Sequence, residues 1–241
     1  MNFSIVLASR ERTELLYNLI KSVQETTDDL NNVELLVAID DDDVVSQNFK
    51  EKIKEYSFVR IYSRPRTTML NRDYLNWLHV HFATGKYSII CNDDTLFKTP
   101  KWDQIAFEKL EKYLSDKPDG IVYGFISDTL LIRAGGLNYS CFPLISRKGA
   151  DALGFAIPPQ FAAWSADIEL FKIYSAIDRV CDLSEIMIQH VSYHSGLRKK
   201  DKINLYVAAI SNYPTINIQH YTELLNKEIR KSDSFQEISF L

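Results

Sequence analysis

Thr84-Gly85-Lys86-Tyr87-Ser88-Ile89-Ile90-Cys91-Asn92-Asp93-Asp94 is the stretch that decides how this chain is read. A short apolar strand, Tyr87 to Cys91, runs directly into paired carboxylates. In an open α/β sheet the carboxyl ends of strands are where ligands bind. Two adjacent acids repel one another unless a cation or hydrogen bonds offset them. A divalent ion is a natural offset, because Mg²⁺-type ions take one or two protein carboxylates and complete their shell with water and substrate phosphate oxygens. The stretch therefore points to a metal-bridged phosphate site. The blander reading of the same residues is an acidic helix N-terminus, since Asp favours caps and first turns.

Working outward, Phe3 to Ala8 is a continuous apolar run and reads as a buried strand. Leu15, Leu16, Leu19, Ile20 and Val23 then recur at helical spacing. Val33 to Ile39 is a second strand, stopping at Asp40-Asp41-Asp42-Asp43. Phe49, Ile53 and Tyr56 mark a helix, Phe58 to Tyr62 a strand, and Tyr74, Leu75, Leu78 and Phe82 another helix. The alternation is α/β, and the right-handed crossover rule makes it a doubly wound, mostly parallel sheet flanked by helices. A helix over Trp102 to Leu114 and a strand over Ile121 to Phe125 continue it. Further on, helices are expected over Arg147 to Leu153 and Ala166 to Ile177, a strand over Ile186 to Val191, and helical patterns from Ile203 and Ile216 that fray after Lys231. Asp128 to Phe142, with Gly135-Gly136, reads as a loop or mobile segment, and Arg198 to Lys202 as an exposed turn. One domain is expected: residues 1 to about 115 form one half, 116 to 200 the other, and 201 to 241 a helical tail.

Composition narrows the classes. The 241 residues are 46% hydrophobic and 25% charged, with net charge -4, which argues against the basic stripe of a nucleic-acid binder. No apolar run approaches membrane-spanning length, and the N-terminus lacks the basic start and cleavage site of a signal peptide. Cys91, Cys141 and Cys181 are odd in number and set among apolar residues, as expected of reduced thiols in a cytoplasmic protein.

Other folds with acids at strand ends fit less well. An aspartyl-nucleophile phosphatase would carry its acids after the first strand, where this chain has Ser9-Arg10-Glu11-Arg12. A dinucleotide fold would carry glycines there, and Gly85-Lys86 is followed by Tyr87, so no P-loop is present.

The blocks Phe3 to Arg12, the strand ending at Asp40, Gly85-Lys86-Tyr87 to Asn92-Asp93-Asp94, and Thr99-Pro100-Lys101-Trp102-Asp103 together resemble a GT-A glycosyltransferase, most similar to the family 2 type. The resemblance covers roughly residues 3 to 200 and rests on the order and spacing of the blocks. It implies the GT-A nucleotide-diphospho-sugar transferase fold and a donor that is a nucleoside diphosphate sugar, UDP- or GDP-linked. Asp40 would contact the base, Asp93 the ribose, and Asp94 a Mn²⁺ or Mg²⁺ on the diphosphate, with His190 as the metal's second protein ligand. Asn92 stands where the family's fuller motif has an acid. Ser9, Arg10 and Arg64 lie at strand ends where they could meet the donor, and Asn76 matches an Asn ahead of the family's strand start. Asp167, with Glu169 in reserve, would be the base that takes the acceptor hydroxyl's proton in an inverting transfer, a role worth about 10²–10⁴ in rate. The acceptor is open: glycan, protein or lipid-linked. A non-catalytic nucleotide-sugar or glycan-binding module and a nucleotidyltransferase are the alternatives, since fold analogy does not prove activity.

Overall fold

The computed structural model describes residues 1–129 and 139–239, with side chains to residue 232, so Gly135-Gly136 lie outside the described residues. Strand β1 (Phe3–Ser9) lies between β2 (Val33–Asp40) and β4 (Tyr87–Ile90), with β3 (Val59–Arg64) beyond β2, all parallel. Why β1 is a continuous apolar run is visible in its faces. Phe3, Ile5 and Leu7 pack on one side with α1 (Thr13–Thr26) and α4 (Trp102–Tyr113); Val6 packs on the other with α3 (Trp77–His81). A strand covered on both faces has no solvent side for polar residues to alternate onto.

The sheet continues as β7 (Leu144–Ser146), β6 (Tyr123–Asp128), β8 (Val180–His190) and β5 (Thr95–Phe97), giving eight strands in the order β3-β2-β1-β4-β7-β6-β8-β5. β7 and β5 are antiparallel to their neighbours, while β6 and β8 pair in parallel. The α/β, mostly parallel expectation therefore holds. The two antiparallel strands were not anticipated, because three residues carry no period to read. β8 starts six residues before the expected Ile186, since its first half alternates buried Cys181 and Leu183 with exposed Asp182 and Ser184. β6 is shifted toward Asp128, which is fully buried at its end.

The remaining helices are α2 (Val44–Lys52), α5 (Arg147–Leu153), α6 (Ala166–Ser175), α7 (Lys202–Ile210) and α8 (Ile218–Ser239). α8 stays helical past Lys231, and its span contains no Gly or Pro to break it. A π-helical stretch, Asn71–Asn76, leads into α3. Among the described residues no helix is long and apolar enough to cross a membrane. The Thr99-to-Asp103 block is an anchor: Trp102 is buried and donates to Thr27 Oγ1 at 3.0 Å, and the Asp103 carboxylate accepts from the amides of Asp28 at 2.7 Å and Asp29 at 3.1 Å.

At the amino end of the sheet, buried Glu34 is saturated by donors. It accepts from Ser4 Oγ at 2.6 Å, Thr84 N at 2.6 Å, Thr84 Oγ1 at 2.9 Å and Arg60 Nη1 at 3.0 Å. This draws the start of β4 hard against β1. A Cβ on Gly85 would lie 2.7 Å from Ser4 N and 2.8 Å from the Phe3 carbonyl carbon, backbone atoms that cannot step aside. Gly85→Ala is therefore expected to lower the unfolding free energy by about 1–3 kcal/mol, read as a lower urea midpoint at unchanged slope. An unchanged midpoint would show that this close approach is dispensable.

Candidate active site

Because β1, β2 and β4 run parallel and in register (Ala8 beside Ala38, Val6 beside Ile90), the residues that follow them emerge together. Ser9, Asp40 and the Cys91–Asp94 turn line one cavity of about 370 Å³. Its facing wall comes from the first turn of α6 with Asp167, from Cys141, from His190 at the end of β8, and from residues between 192 and 207 that follow it.

Both strand-end acids are buried, and each has a cation. Asp93 accepts from Ser9 Oγ at 2.8 Å and Arg12 Nη1 at 3.1 Å. Asp94 Oδ2 accepts from Arg198 Nη2 at 2.7 Å, and its Oδ1 lies 3.3 Å from His190 Nε2. The two carboxyls are pushed apart in acidity. Burial raises Asp93 to about 6 against the pull of Arg12. Burial would raise Asp94 too, but His190 and Arg198 outweigh it and hold the group down at about 2. Arg12 also forks onto Asp201, Nε to Oδ2 at 2.9 Å and Nη2 to Oδ1 at 2.8 Å. Arg198 reaches Asp201 Oδ2 at 3.2 Å, Asn204 Oδ1 at 2.8 Å and the Val191 carbonyl at 2.9 Å. Asp93, Arg12, Asp201, Arg198 and Asp94 thus form a chain of alternating charge, and Asp201 caps α7 reciprocally with Asn204.

The Asp40–Asp43 quartet divides its work. Asp40, at the cavity, accepts from Arg10 Nη1 at 2.5 Å and from Tyr74 Oη. Asp41 and Asp42 are exposed, Asp42 pairing with Arg10. Asp43 is buried as the cap of α2, its carboxylate accepting from Ser46 N at 3.1 Å and Glu11 N at 2.8 Å.

Asp167 follows Ser165, a non-glycine residue with a left-handed backbone (φ 71°) that turns the chain into α6. Burial pushes the Asp167 carboxyl up to about 6, and Asp128 adds to the effect. Glu169 does not line the cavity and pairs with Lys172 at 2.6 Å. Glu11, between Arg10 and Arg12, is the second left-handed residue at the site (φ 54°). Such residues cost about 1–3 kcal/mol each and cluster at functional sites.

Of the residues singled out from sequence, Ser9, Arg10, Asp40, Asp93, Asp94, Asp167 and His190 line the cavity, while Arg64 and Asn76 do not. Arg64 lies over the Trp77 ring at 4.3 Å and bonds the Asp73 carbonyl. Asn76 is buried and donates to the carbonyls of Asn71 and Ile157 while accepting from the amides of Ala156 and Ile157, which ties α3 to the chain after α5. Sequence reasoning passed over Arg12, Tyr74, Cys141, Arg198 and Asp201. One signal was present for the arginines: two adjacent buried acids require nearby cations. Asp94 Oδ1 and His190 Nε2 converge closely enough to share an ion, and a carboxylate–imidazole pair fits a divalent ion such as Mn²⁺. Cys91, Cys141 and Cys181 are free thiols.

No protein-family model and no curated protein sequence matches the chain. Solved structures do match in fold. S. aureus TarS 1–349 in complex with UDP aligns with TM-score 0.60 at 12% identity, over 97% of this chain and 72% of that one. The mannosyltransferase PcManGT from Pyrobaculum calidifontis, in complex with GDP-Man and Mn²⁺, aligns with TM-score 0.55 at 10% identity, over 97% and 75%. GalNAc-T7 with UDP, GalNAc and Mn²⁺ aligns with TM-score 0.61 at 12% identity, over 78% of this chain and 43% of its own. The chain has the GT-A glycosyltransferase fold.

The depressed Asp94 acidity has a signed consequence. Its folded value lies below the ordinary 3.8, so its ionised form stabilises the fold above that value, and this is lost as pH falls through about 2. The stability gap between the parent chain and Asp94→Asn should therefore be full at neutral pH and shrink toward pH 2, as measured by urea unfolding across pH. A gap that does not change with pH would show that the Arg198 and His190 contacts contribute nothing through charge.

Proposed function

We propose that the chain is a glycosyltransferase that moves a sugar from a nucleoside diphosphate sugar to an acceptor hydroxyl with inversion. The observation that carries this is one cavity holding the strand-end acids Asp40, Asp93 and Asp94 against Asp167 on the facing helix. The fold supports it, and structures of that fold hold UDP, UDP-GlcNAc and GDP-Man. A UDP- or GDP-sugar is accordingly the proposed donor, and the acceptor is a glycan, a lipid-linked sugar or a protein.

The roles follow from the wiring. Asp40, braced by Arg10 and Tyr74, meets the base, and Asp93, braced by Ser9 and Arg12, meets the ribose. Arg10 and Ser9 line the same cavity. Asp94 and His190 would hold a Mn²⁺ or Mg²⁺ ion, which when bound neutralises the departing diphosphate as a Lewis acid. Asp167 accepts the hydroxyl proton as the oxygen attacks the anomeric carbon. An inverting transfer needs one such carboxylate, and a carboxyl pushed up to about 6 is a better base than an ordinary one at neutral pH. Arg64 and Asn76 enter this proposal as supports of the frame.

Calorimetric titration of UDP, GDP, CDP and dTDP, with and without Mn²⁺, tests the donor site. One nucleotide should bind, and binding should be lost with EDTA and in Asp94→Ala; no binding under any condition would overturn the reading.

Asp167→Asn should keep donor binding and lose about 10²–10⁴ in transfer rate, while undiminished transfer would remove Asp167 from the role. Ionisation of Asp167 also sets a pH limb. The neutral form is favoured on folding, so its stabilising contribution is lost as pH rises through about 6, where the base becomes competent. Hence kcat/KM of the parent chain should rise through about pH 6. A flat profile across that range would count against this base.

A further inference from the structure

We propose that Asp128, Cys141 and His190 form a binding site for a thiophilic divalent cation of the zinc class, on the cavity wall beside Asp167. Asp128 ends β6, Cys141 precedes β7 and His190 ends β8, and one ligand atom from each lies within 4.8 Å of the others. Because β6 pairs with both β7 and β8, the sheet itself brings the three together. Asp128 Oδ2 also accepts the Cys141 amide at 3.2 Å, which fixes the two residues to one another.

The donor types select the ion. Carboxylate, thiolate and imidazole are the ligands zinc takes, and three protein ligands leave a fourth position for a small molecule. A soft thiolate disfavours Mg²⁺, which takes oxygen ligands. His190 carries the independent observation. Its Nε2 faces Asp94 Oδ1 at 3.3 Å, while its Nδ1 is buried with no hydrogen-bond partner among the described residues. A metal-bound histidine ordinarily turns its other ring N–H to a carboxylate or carbonyl. Here that carboxylate is in place and the opposite nitrogen is left to donate. The Asp128 carboxylate supplies negative charge for a divalent ion, and coordination by the Cys141 sulfur would release its thiol proton to solvent. The site differs from the Asp94–His190 pairing offered to Mn²⁺ in requiring Asp128 and Cys141, and because it keeps the Nε2 proton on Asp94 the two ions would compete for His190. It also stands whether or not the chain transfers sugar.

The test is titration of Co²⁺, as a coloured stand-in for zinc, into the reduced full chain without nucleotide. A near-ultraviolet thiolate-to-cobalt band should appear, be displaced by Zn²⁺, and be lost in Cys141→Ser. Asp128→Asn should weaken zinc binding by at least about tenfold, and Cys91→Ser and Cys181→Ser should keep the band. Absence of the band in the parent chain, or its survival in Cys141→Ser, overturns the proposal. A measurement on the parent chain guards against misfolded variants: Zn²⁺ should slow alkylation of Cys141, followed by mass spectrometry, and unchanged labelling at saturating zinc also overturns it.

Discussion

The mutual repulsion of Asp93 and Asp94 is the constraint on which the rest of the site depends. Two carboxylates in consecutive positions, both buried, are tolerable only if cations come to them. The chain brings those cations from opposite ends of its sequence, Arg12 from the turn after β1 and Arg198 from beyond β8, while His190 at the end of β8 sets a ring nitrogen 3.3 Å from Asp94. Asp201 then bridges the two arginines and caps α7, so the segment that walls the cavity is held by the same charges that settle the acids. Removing one member would leave a buried charge unpaired, which costs far more than a surface pair is worth.

The sheet supplies the other half of the arrangement. Strands β1, β2 and β4 are buried on both faces, so their order and register are set by packing, and register decides which residues emerge at the carboxyl edge. A slip of one residue in β1 would turn Ser9 away from Asp93 and Phe3 away from Trp102. The backbone takes costly left-handed conformations at Glu11, just after β1, and at Ser165, just before α6. These two residues aim the arginine-bearing turn and the start of α6 into the same space. The strain is stored where the chain turns from framework to cavity, as expected when geometry at a site is held by its surroundings.

The acidities show how environment divides chemically identical groups. Asp93 and Asp167 are raised to about 6 chiefly by burial, whereas Asp94, as buried as Asp93, is held at about 2 because His190 and Arg198 touch it. Separated acidities among neighbouring carboxyls are how a site acquires groups with different tasks.

The first strands, their parallel order and the acids at their ends were legible in the sequence, because a doubly covered strand must be an apolar run and its end must be polar. The gathering of Asp40 with the Asp93–Asp94 turn was legible for the same reason, since parallel register carries strand ends to one edge. Only the tertiary structure could decide what meets those acids. Arg198 belongs to a basic run that reads as a solvated turn, and nothing local distinguishes it from Lys199 or Lys200 beside it. β5 and β7 are too short to show a period, and Asn76 differs from any surface asparagine only through the four backbone groups it satisfies. Periodicity is written in neighbouring residues, and sequence alone determines it. The pairing of charges across 81 residues, Arg12 with Asp93, and across 104, Arg198 with Asp94, exists only once the chain has folded, because desolvation makes those partners necessary and the fold alone brings them within reach.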